Sequence, residues 1–236
     1  MEYISHYKPT EKEKSSFMVR TYAWMAFALI LSAGSAFFFS TNENLMARFW
    51  SSKLYFYILA GVELVLVWTL SIALKKISVA LASLMFMTYS IINGITLSSI
   101  FWIFDIHSIG YCFIATSVMF LLMSIYGIIT KQSLVRAGHY LMMALIGLII
   151  VTLVNSIVGA ITHVRLGLIE KAISIVTVVI FTGLTAYDSQ KIIKTACRAD
   201  NSDAFKKLSI VGALELYLDF INIFLSLLRL FGKSRD

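Results

Sequence analysis

The sequence predicts an all-α membrane protein with seven transmembrane helices. Of its 236 residues, 59% are hydrophobic and only 14% are charged, whereas soluble domains carry about 25% charged residues. Apolar runs of about 20 residues, long enough to cross a hydrocarbon core of about 30 Å, recur along the chain with short polar breaks. The only proline is Pro9, so the spans are expected to be helices without proline kinks.

The apolar runs leave no room for a separate soluble domain. Residues 1–20 are predicted to form a cytoplasmic N-terminal tail, residues 21–232 the transmembrane domain, and residues 233–236 a short polar C-terminal tail. The seventh span differs from the other six because it contains two acids. The spans are predicted near residues 21–41, 54–74, 79–103, 110–130, 140–161, 169–190 and 208–231.

The distribution of Lys and Arg predicts the orientation, because these residues are enriched in cytoplasmic loops. Most of them fall on the side that carries the N-terminus, which is therefore predicted to be cytoplasmic, and the segment 191–207 is the most basic loop. The basic C-terminus leaves open whether the last segment crosses or enters and returns. The net charge of +7 fits this asymmetry and contact with anionic lipid headgroups, so no nucleic-acid partner is predicted.

Four acids lie in or beside the predicted spans. A charged side chain at the bilayer centre costs several kcal/mol unless it reaches water or a partner, so each is a candidate functional group. Glu63 lies near the middle of the second span, and Glu215 and Asp219 share one face of the seventh because they are four residues apart. Asp188 lies at the cytoplasmic end of the predicted sixth span. The alternatives are an ordinary helix-end acid for Asp188, and a structural pair or an amphipathic surface helix for Glu215 and Asp219.

These carboxylates suggest a cation site that protons control. Carboxylates brought together in a poorly solvated place cannot all ionise, so one of them can hold a proton near neutral pH. Ionised carboxylates are also the hard oxygen ligands that calcium accepts. Three acids cannot supply the six to eight ligands of calcium, so backbone carbonyls or waters would have to contribute.

Three motifs resemble the Bax inhibitor-1 family, also called the transmembrane Bax-inhibitor-motif family. They are FTGLTAYDSQKIIK in the sixth span, ALELYLDFINIFLSLLRLFG in the seventh and FMTYSIINGITLSSIF in the third. The resemblance runs from Arg20 to the C-terminus and is strongest to bacterial members. It implies six helices around a central seventh, a location in the bacterial inner membrane, and a pH-dependent calcium leak.

The resemblance also implies roles for particular residues. Asp188 and Asp219 correspond to a pair of aspartates that senses protonation and contacts calcium transiently, while Glu63 and Glu215 correspond to acids that line the pore. A basic residue at the end of the second helix latches the first aspartate in the closed state. Lys75 and Lys76 stand there, and the latch is expected to be weak because lysine cannot make the bidentate contact of arginine.

Two other functions compete with the leak. Two aspartates on the sixth and seventh spans, one after a tyrosine, also occur in intramembrane aspartyl proteases, but the GxGD and PAL motifs of those enzymes are missing. No catalytic residues, cofactor or enzyme activity are therefore predicted, and calcium enters only as a transported ion. A non-conducting regulator that binds other membrane proteins stays open as the alternative.

Overall fold

The computed structural model describes residues 10–50, 53–72, 74, 76–162, 167–198 and 202–235. Helices form nearly all of the regular structure of these residues, and an isolated bridge between Phe104 and Ser234 is the only β pairing among them. The all-α prediction is therefore confirmed. The helices are α1 (Glu11–Ser40), α2 (Glu43–Trp50), α3 (Lys53–Ile72), α4 (Val79–Leu97), α5 (Ile100–Ile103), α6 (Ile106–Ile129), α7 (Val135–Thr162), α8 (Gly167–Ala196) and α9 (Asp203–Phe231).

Six stretches of helix among the described residues are long and apolar enough to cross a membrane: α1, α4 continued by α5, α6, α7, α8 and α9. The predicted second span corresponds to α3, whose apolar part, Tyr57–Ile72, is shorter than the others. At 1.5 Å per residue this part is about 24 Å long, less than a hydrocarbon core of about 30 Å. Crossing by α3, and hence a total of seven crossings, stays a prediction.

Two helices extend beyond the predicted spans. α1 begins inside the predicted tail, because Thr10 and Glu13 form a capping box in which each side chain bonds to the backbone N–H of the other. α8 continues past residue 190 to Ala196, so the first residues of the predicted loop 191–207 belong to the helix. Both extensions carry polar residues, so the helices are longer than their apolar parts.

The third predicted span is interrupted near its end. α4 ends at Leu97, and the Ser98 N–H donates to the Ile95 carbonyl at 3.1 Å instead of continuing the α-helical pattern. The Ser98 hydroxyl donates to the same carbonyl at 2.6 Å and to the Met46 sulfur at 3.3 Å. Met46 belongs to α2, a short helix that the sequence analysis missed because eight residues are too few to show a clear period.

α9 is a single continuous helix from Asp203 to Phe231. At 1.5 Å per residue it is about 43 Å long, enough to cross the bilayer once. A segment that entered the membrane and returned would need a break, and α9 has none. The alternative of a returning last segment is therefore wrong.

The chain divides into two compact units. Each of the helices α8 and α9 has one part in unit 1 and the other part in unit 2. Unit 1 comprises Met1–Ile103 and Ile192–Tyr217. In unit 1, α4 lies against α1 and α3. α1 and α4 approach closely at Gly94, where a Cβ atom would meet the Ser32 carbonyl and the Ser35 hydroxyl. Small residues therefore bring these two helices together, as they do in membrane helix pairs generally.

Unit 2 comprises Phe104–Lys191 and Leu218–Asp236. α6 and α8 approach closely at Gly127, which faces the backbone of Ala186. Edge-to-face contacts pack α6 on the second half of α9, with ring centroids 5.4 Å apart for Phe113 and Phe220. After α9, the Lys233 carbonyl accepts from the Asp105 N–H at 2.9 Å, which ties the C-terminal segment to the start of α6.

Candidate functional site

Asp219 is the only buried acid among the described residues. It is 3% exposed and lies in α9 next to the buried residue Phe220 and two positions after the fully buried Tyr217. Among the six helical stretches of membrane-crossing length in the described residues, α9 is also the most buried, with 67% of its apolar part inside the protein against at most 33% for the others. This burial contradicts an amphipathic surface helix.

Glu215 lies one turn before Asp219 on α9 and is half-buried. Because α9 is continuous through both residues, the predicted common face is confirmed. The two acids belong to different units: Glu215 to unit 1 and Asp219 to unit 2. The two acids also differ in exposure, because Asp219 is buried and Glu215 is half-buried.

Asp188 lies within α8 and not at its end. The helix continues for eight residues after it, to Ala196, so the alternative of an ordinary helix-end acid is wrong. Asp188 is half-buried and belongs to unit 2, as does Asp219. Sharing of a proton between the two carboxylates stays a prediction.

The residues after Asp188 fix this part of α8 to its neighbours in unit 2. The Ser189 hydroxyl donates to the Ser124 hydroxyl of α6 at 3.1 Å. The Gln190 amide donates to the Gln132 carbonyl at 2.8 Å and accepts from the Leu134 N–H at 2.9 Å. Gln190 thereby satisfies backbone groups in the turn between α6 and α7, and Asp188 projects from a well-anchored segment.

Glu63 lies in α3 and is half-buried in unit 1. Its carboxylate accepts a hydrogen bond from the Thr96 hydroxyl at 2.7 Å and one from the Asn93 amide at 3.4 Å, both from α4. An acid in an apolar helix is thus partnered by polar side chains of the neighbouring helix. Both partners, Asn93 and Thr96, lie in the motif FMTYSIINGITLSSIF of the predicted third span.

Tyr217 was missed by the sequence analysis, although it stands between Glu215 and Asp219 in the LYLDF motif. Its side chain is fully buried in unit 1. The hydroxyl donates to the Asn93 side-chain oxygen at 2.8 Å and lies 2.7 Å from the Ser32 hydroxyl of α1. Glu63 is therefore connected through Asn93 to α9 and α1.

The predicted latch residue Lys76 lies in the turn after α3. Lys75 is outside the described residues, and Lys76 is exposed. The basic residue that holds this turn is Lys207 of α9, whose ammonium donates to the carbonyls of Leu74 at 2.9 Å and Ile77 at 3.1 Å. A cation suits these carbonyls because the C-terminal end of a helix carries partial negative charge. A latch by Lys75 or Lys76 stays a prediction.

Replacing Lys207 by methionine is expected to loosen the turn after α3. The variant keeps the aliphatic stem but loses both donated hydrogen bonds, so thermal unfolding in detergent should show a loss of about 1–2 kcal/mol. Lys206→Met is the matched control, because the neighbouring Lys206 pairs only with Asp203 at the surface within the described residues. An equal loss in the two variants would contradict this role of Lys207.

No group of three or more His, Cys, Asp or Glu residues that could hold a metal ion occurs in the described part of the chain. Calcium needs six to eight oxygen ligands. A calcium ion at Asp188 or Asp219 would therefore depend on backbone carbonyls and waters. Such a donor set suits a passing ion better than a tightly bound one.

Helices of membrane-crossing length and a buried acid within one of them define a multi-pass integral membrane protein. The family model described as "Inhibitor of apoptosis-promoting Bax1" matches residues 14–236. The chain therefore belongs to the Bax inhibitor-1 family, as the three motifs predict.

Bacterial proteins match nearly the whole chain. The inner membrane protein YbhL of Escherichia coli (strain K12) is 38% identical over 222 residues, which cover 93% of this chain and 92% of YbhL. An uncharacterized protein of Borreliella burgdorferi is 40% identical over 224 residues, 94% of each chain. An uncharacterized protein of Deinococcus radiodurans is 38% identical over 221 residues, 94% of this chain and 91% of the relative.

Proposed function

We propose that the protein is a pH-sensitive calcium leak channel of the membrane, gated by protonation of Asp188 and Asp219. The observation that carries the proposal is the burial of Asp219, which is 3% exposed within a helix of membrane-crossing length. Ionised acids are rare at such positions because they are costly, and those that occur line ion or proton pathways. Membership of the Bax inhibitor-1 family supports the same function.

Protonation is the proposed switch. A buried carboxylate that gains a proton loses its charge and its capacity to bind a cation. If Asp188 and Asp219 share a proton, the pair titrates as a unit, and its charge changes in a pH range that neither acid would reach alone. Ser189 and Gln190, which follow Asp188, hydrogen-bond to neighbouring segments and hold this part of α8 in place. A fixed position of Asp188 supports its proposed role, because two carboxylates can share a proton only if their distance is maintained.

Calcium is the proposed transported ion. Glu63 and Glu215 are half-buried, and we assign them to the lining of the pathway. Asp188 and Asp219 would contact the ion in passing when they are ionised. No catalytic chemistry is proposed, and protons and calcium are the only small partners that the acids require.

The proposed setting is the bacterial inner membrane with a cytoplasmic N-terminus. The E. coli relative is an inner membrane protein, and the excess of Lys and Arg on the N-terminal side supports the orientation. Seven crossing helices with α9 at the centre complete the proposal. The burial of α9 supports its central position.

Calcium flux into liposomes tests whether the protein conducts. The purified protein is incorporated into vesicles that contain a calcium indicator, and flux is recorded over a pH series. We expect flux above that of protein-free vesicles, with a rate that changes with pH. Glu11→Gln serves as the control, because Glu11 lies at the surface with 89% of its side chain exposed and should leave the profile unchanged. Folded protein without any flux would contradict the proposal and favour the non-conducting regulator.

A further inference from the structure

A chain of hydrogen-bonding side chains connects four helices inside unit 1. It begins at Glu63 of α3, passes through Asn93 of α4 and Tyr217 of α9, and reaches Ser32 of α1. The Ser32 hydroxyl ends the chain at the Ser90 carbonyl of α4, 2.7 Å away. Three of the four side chains are buried, and Glu63 is half-buried. Within the described residues, these side chains form a continuous polar connection inside unit 1.

When Glu63 is ionised, the chain has too few donor hydrogens to make every contact a hydrogen bond. The chain has four contacts: Glu63 to Asn93, Asn93 to Tyr217, Tyr217 to Ser32, and Ser32 to the Ser90 carbonyl. An ionised Glu63 must accept from the Asn93 amide nitrogen, so the Asn93 oxygen faces Tyr217 and takes its only proton. If Ser32 donates to Ser90, no hydrogen is left for the Tyr217–Ser32 contact of 2.7 Å.

One added proton removes this deficit. A protonated Glu63 donates to the Asn93 oxygen once the amide has turned by half a rotation, and the two amide orientations occupy nearly the same space. The Asn93 nitrogen then donates to Tyr217, Tyr217 donates to Ser32, and Ser32 donates to the Ser90 carbonyl. All four contacts become hydrogen bonds that run in one direction. Thr96 donates to the other Glu63 oxygen in either state.

The surroundings of Glu63 favour the same conclusion. Among the described residues, the titratable groups that face it are Tyr89 of α4 and Tyr217 of α9. Both are neutral phenols at ordinary pH. No Lys, Arg or His in the described part of the chain bonds to the Glu63 carboxylate, so its negative charge is stabilised there only by the Thr96 and Asn93 donors.

We propose that Glu63 is a proton-binding site, and that its proton sets the direction of the Glu63–Asn93–Tyr217–Ser32 chain and so fastens α9 to α1, α3 and α4. Glu63 belongs to unit 1, whereas Asp188 and Asp219 belong to unit 2. The Glu63 site is a second place where pH acts on α9. The inference concerns proton binding and does not depend on calcium conduction.

Infrared difference spectroscopy between neutral and acid pH tests the proposal on the full-length protein in lipid nanodiscs. The protonated-acid carbonyl region of the wild type is expected to contain a component from Glu63 that is missing in Glu63→Gln, while the components of the other acids remain. Tyr217→Phe removes two hydrogen bonds from the protonated state and one from the ionised state. It should therefore weaken proton binding at Glu63 by about fivefold, the effect of one net hydrogen bond.

Tyr89→Phe is the matched control. The Tyr89 ring stacks edge-to-face on Tyr217 with centroids 5.7 Å apart, and its hydroxyl is not part of the chain, so its loss should leave the Glu63 band unchanged. If Tyr217→Phe does not fold, Ser32→Ala removes the acceptor of the Tyr217 proton and should weaken proton binding in the same direction. The proposal is overturned if no band depends on Glu63, or if Tyr89→Phe and the chain variant change the band equally.

Discussion

Gly127→Ala is expected to destabilise the protein by about 3 kcal/mol, the upper part of the range for overpacking a tight contact. An added Cβ atom would collide with the Ala186 carbonyl oxygen and lie 2.9 Å from the carbonyl carbon. These are backbone atoms of a regular helix, so no side-chain rotation relieves the clash. α6 and α8 would have to move apart in unit 2.

Gly110→Ala is the matched control for this prediction. Gly110 lies in the same helix, and nothing approaches within 4 Å of the position that its Cβ would occupy. Alanine is a better helix former than glycine, so this variant should be neutral or slightly more stable. Thermal unfolding in detergent compares the two variants directly. Equal stability would show that α6 and α8 do not approach as closely as Gly127 indicates.

The second large effect is expected from Asp219→Asn. Asparagine has nearly the same shape as aspartate but carries no charge at any working pH. If protonation of Asp219 gates the flux, the variant should conduct at a rate that no longer follows pH over the range in which the wild type changes. Calcium flux in liposomes at each pH measures this directly.

Glu215→Gln is the discriminating control for Asp219. It removes a carboxylate one turn away on the same helix, but from a half-buried position assigned to the pathway lining. We expect a changed flux amplitude with the pH response retained. Loss of the pH response in Glu215→Gln alone would move the sensor from Asp219 to Glu215.

The helices were predictable because their signal is local. Apolar runs of membrane-crossing length identify six of them directly. The extension of α8 to Ala196 was not predicted, because its periodicity only permits it and the basic residues Lys191 and Lys194 are typical of a loop. The break after α4 was harder to predict, because it depends on the way in which Ser98 bonds to Ile95 and to Met46 of a distant helix.

The candidate site was predictable in its acids but not in its partners. Acids stand out in an apolar run because their transfer from water is costly. A tyrosine in the same run is unremarkable, since it also suits packing or the membrane interface. The partner of Tyr217 is Asn93, 124 residues earlier in the chain, and no local pattern encodes that pairing. Lys207 was missed for the same reason, because its acceptors follow α3.

The most direct test of the central claim compares Asp188→Asn with Asp219→Asn. Calcium flux in proteoliposomes is measured over one pH series for the wild type and both variants, with folding checked for each. If the two aspartates act as one proton-sensing pair, both variants should show altered pH profiles that resemble each other. A wild-type profile in either variant, beside an altered profile in the other, would contradict the coupled pair.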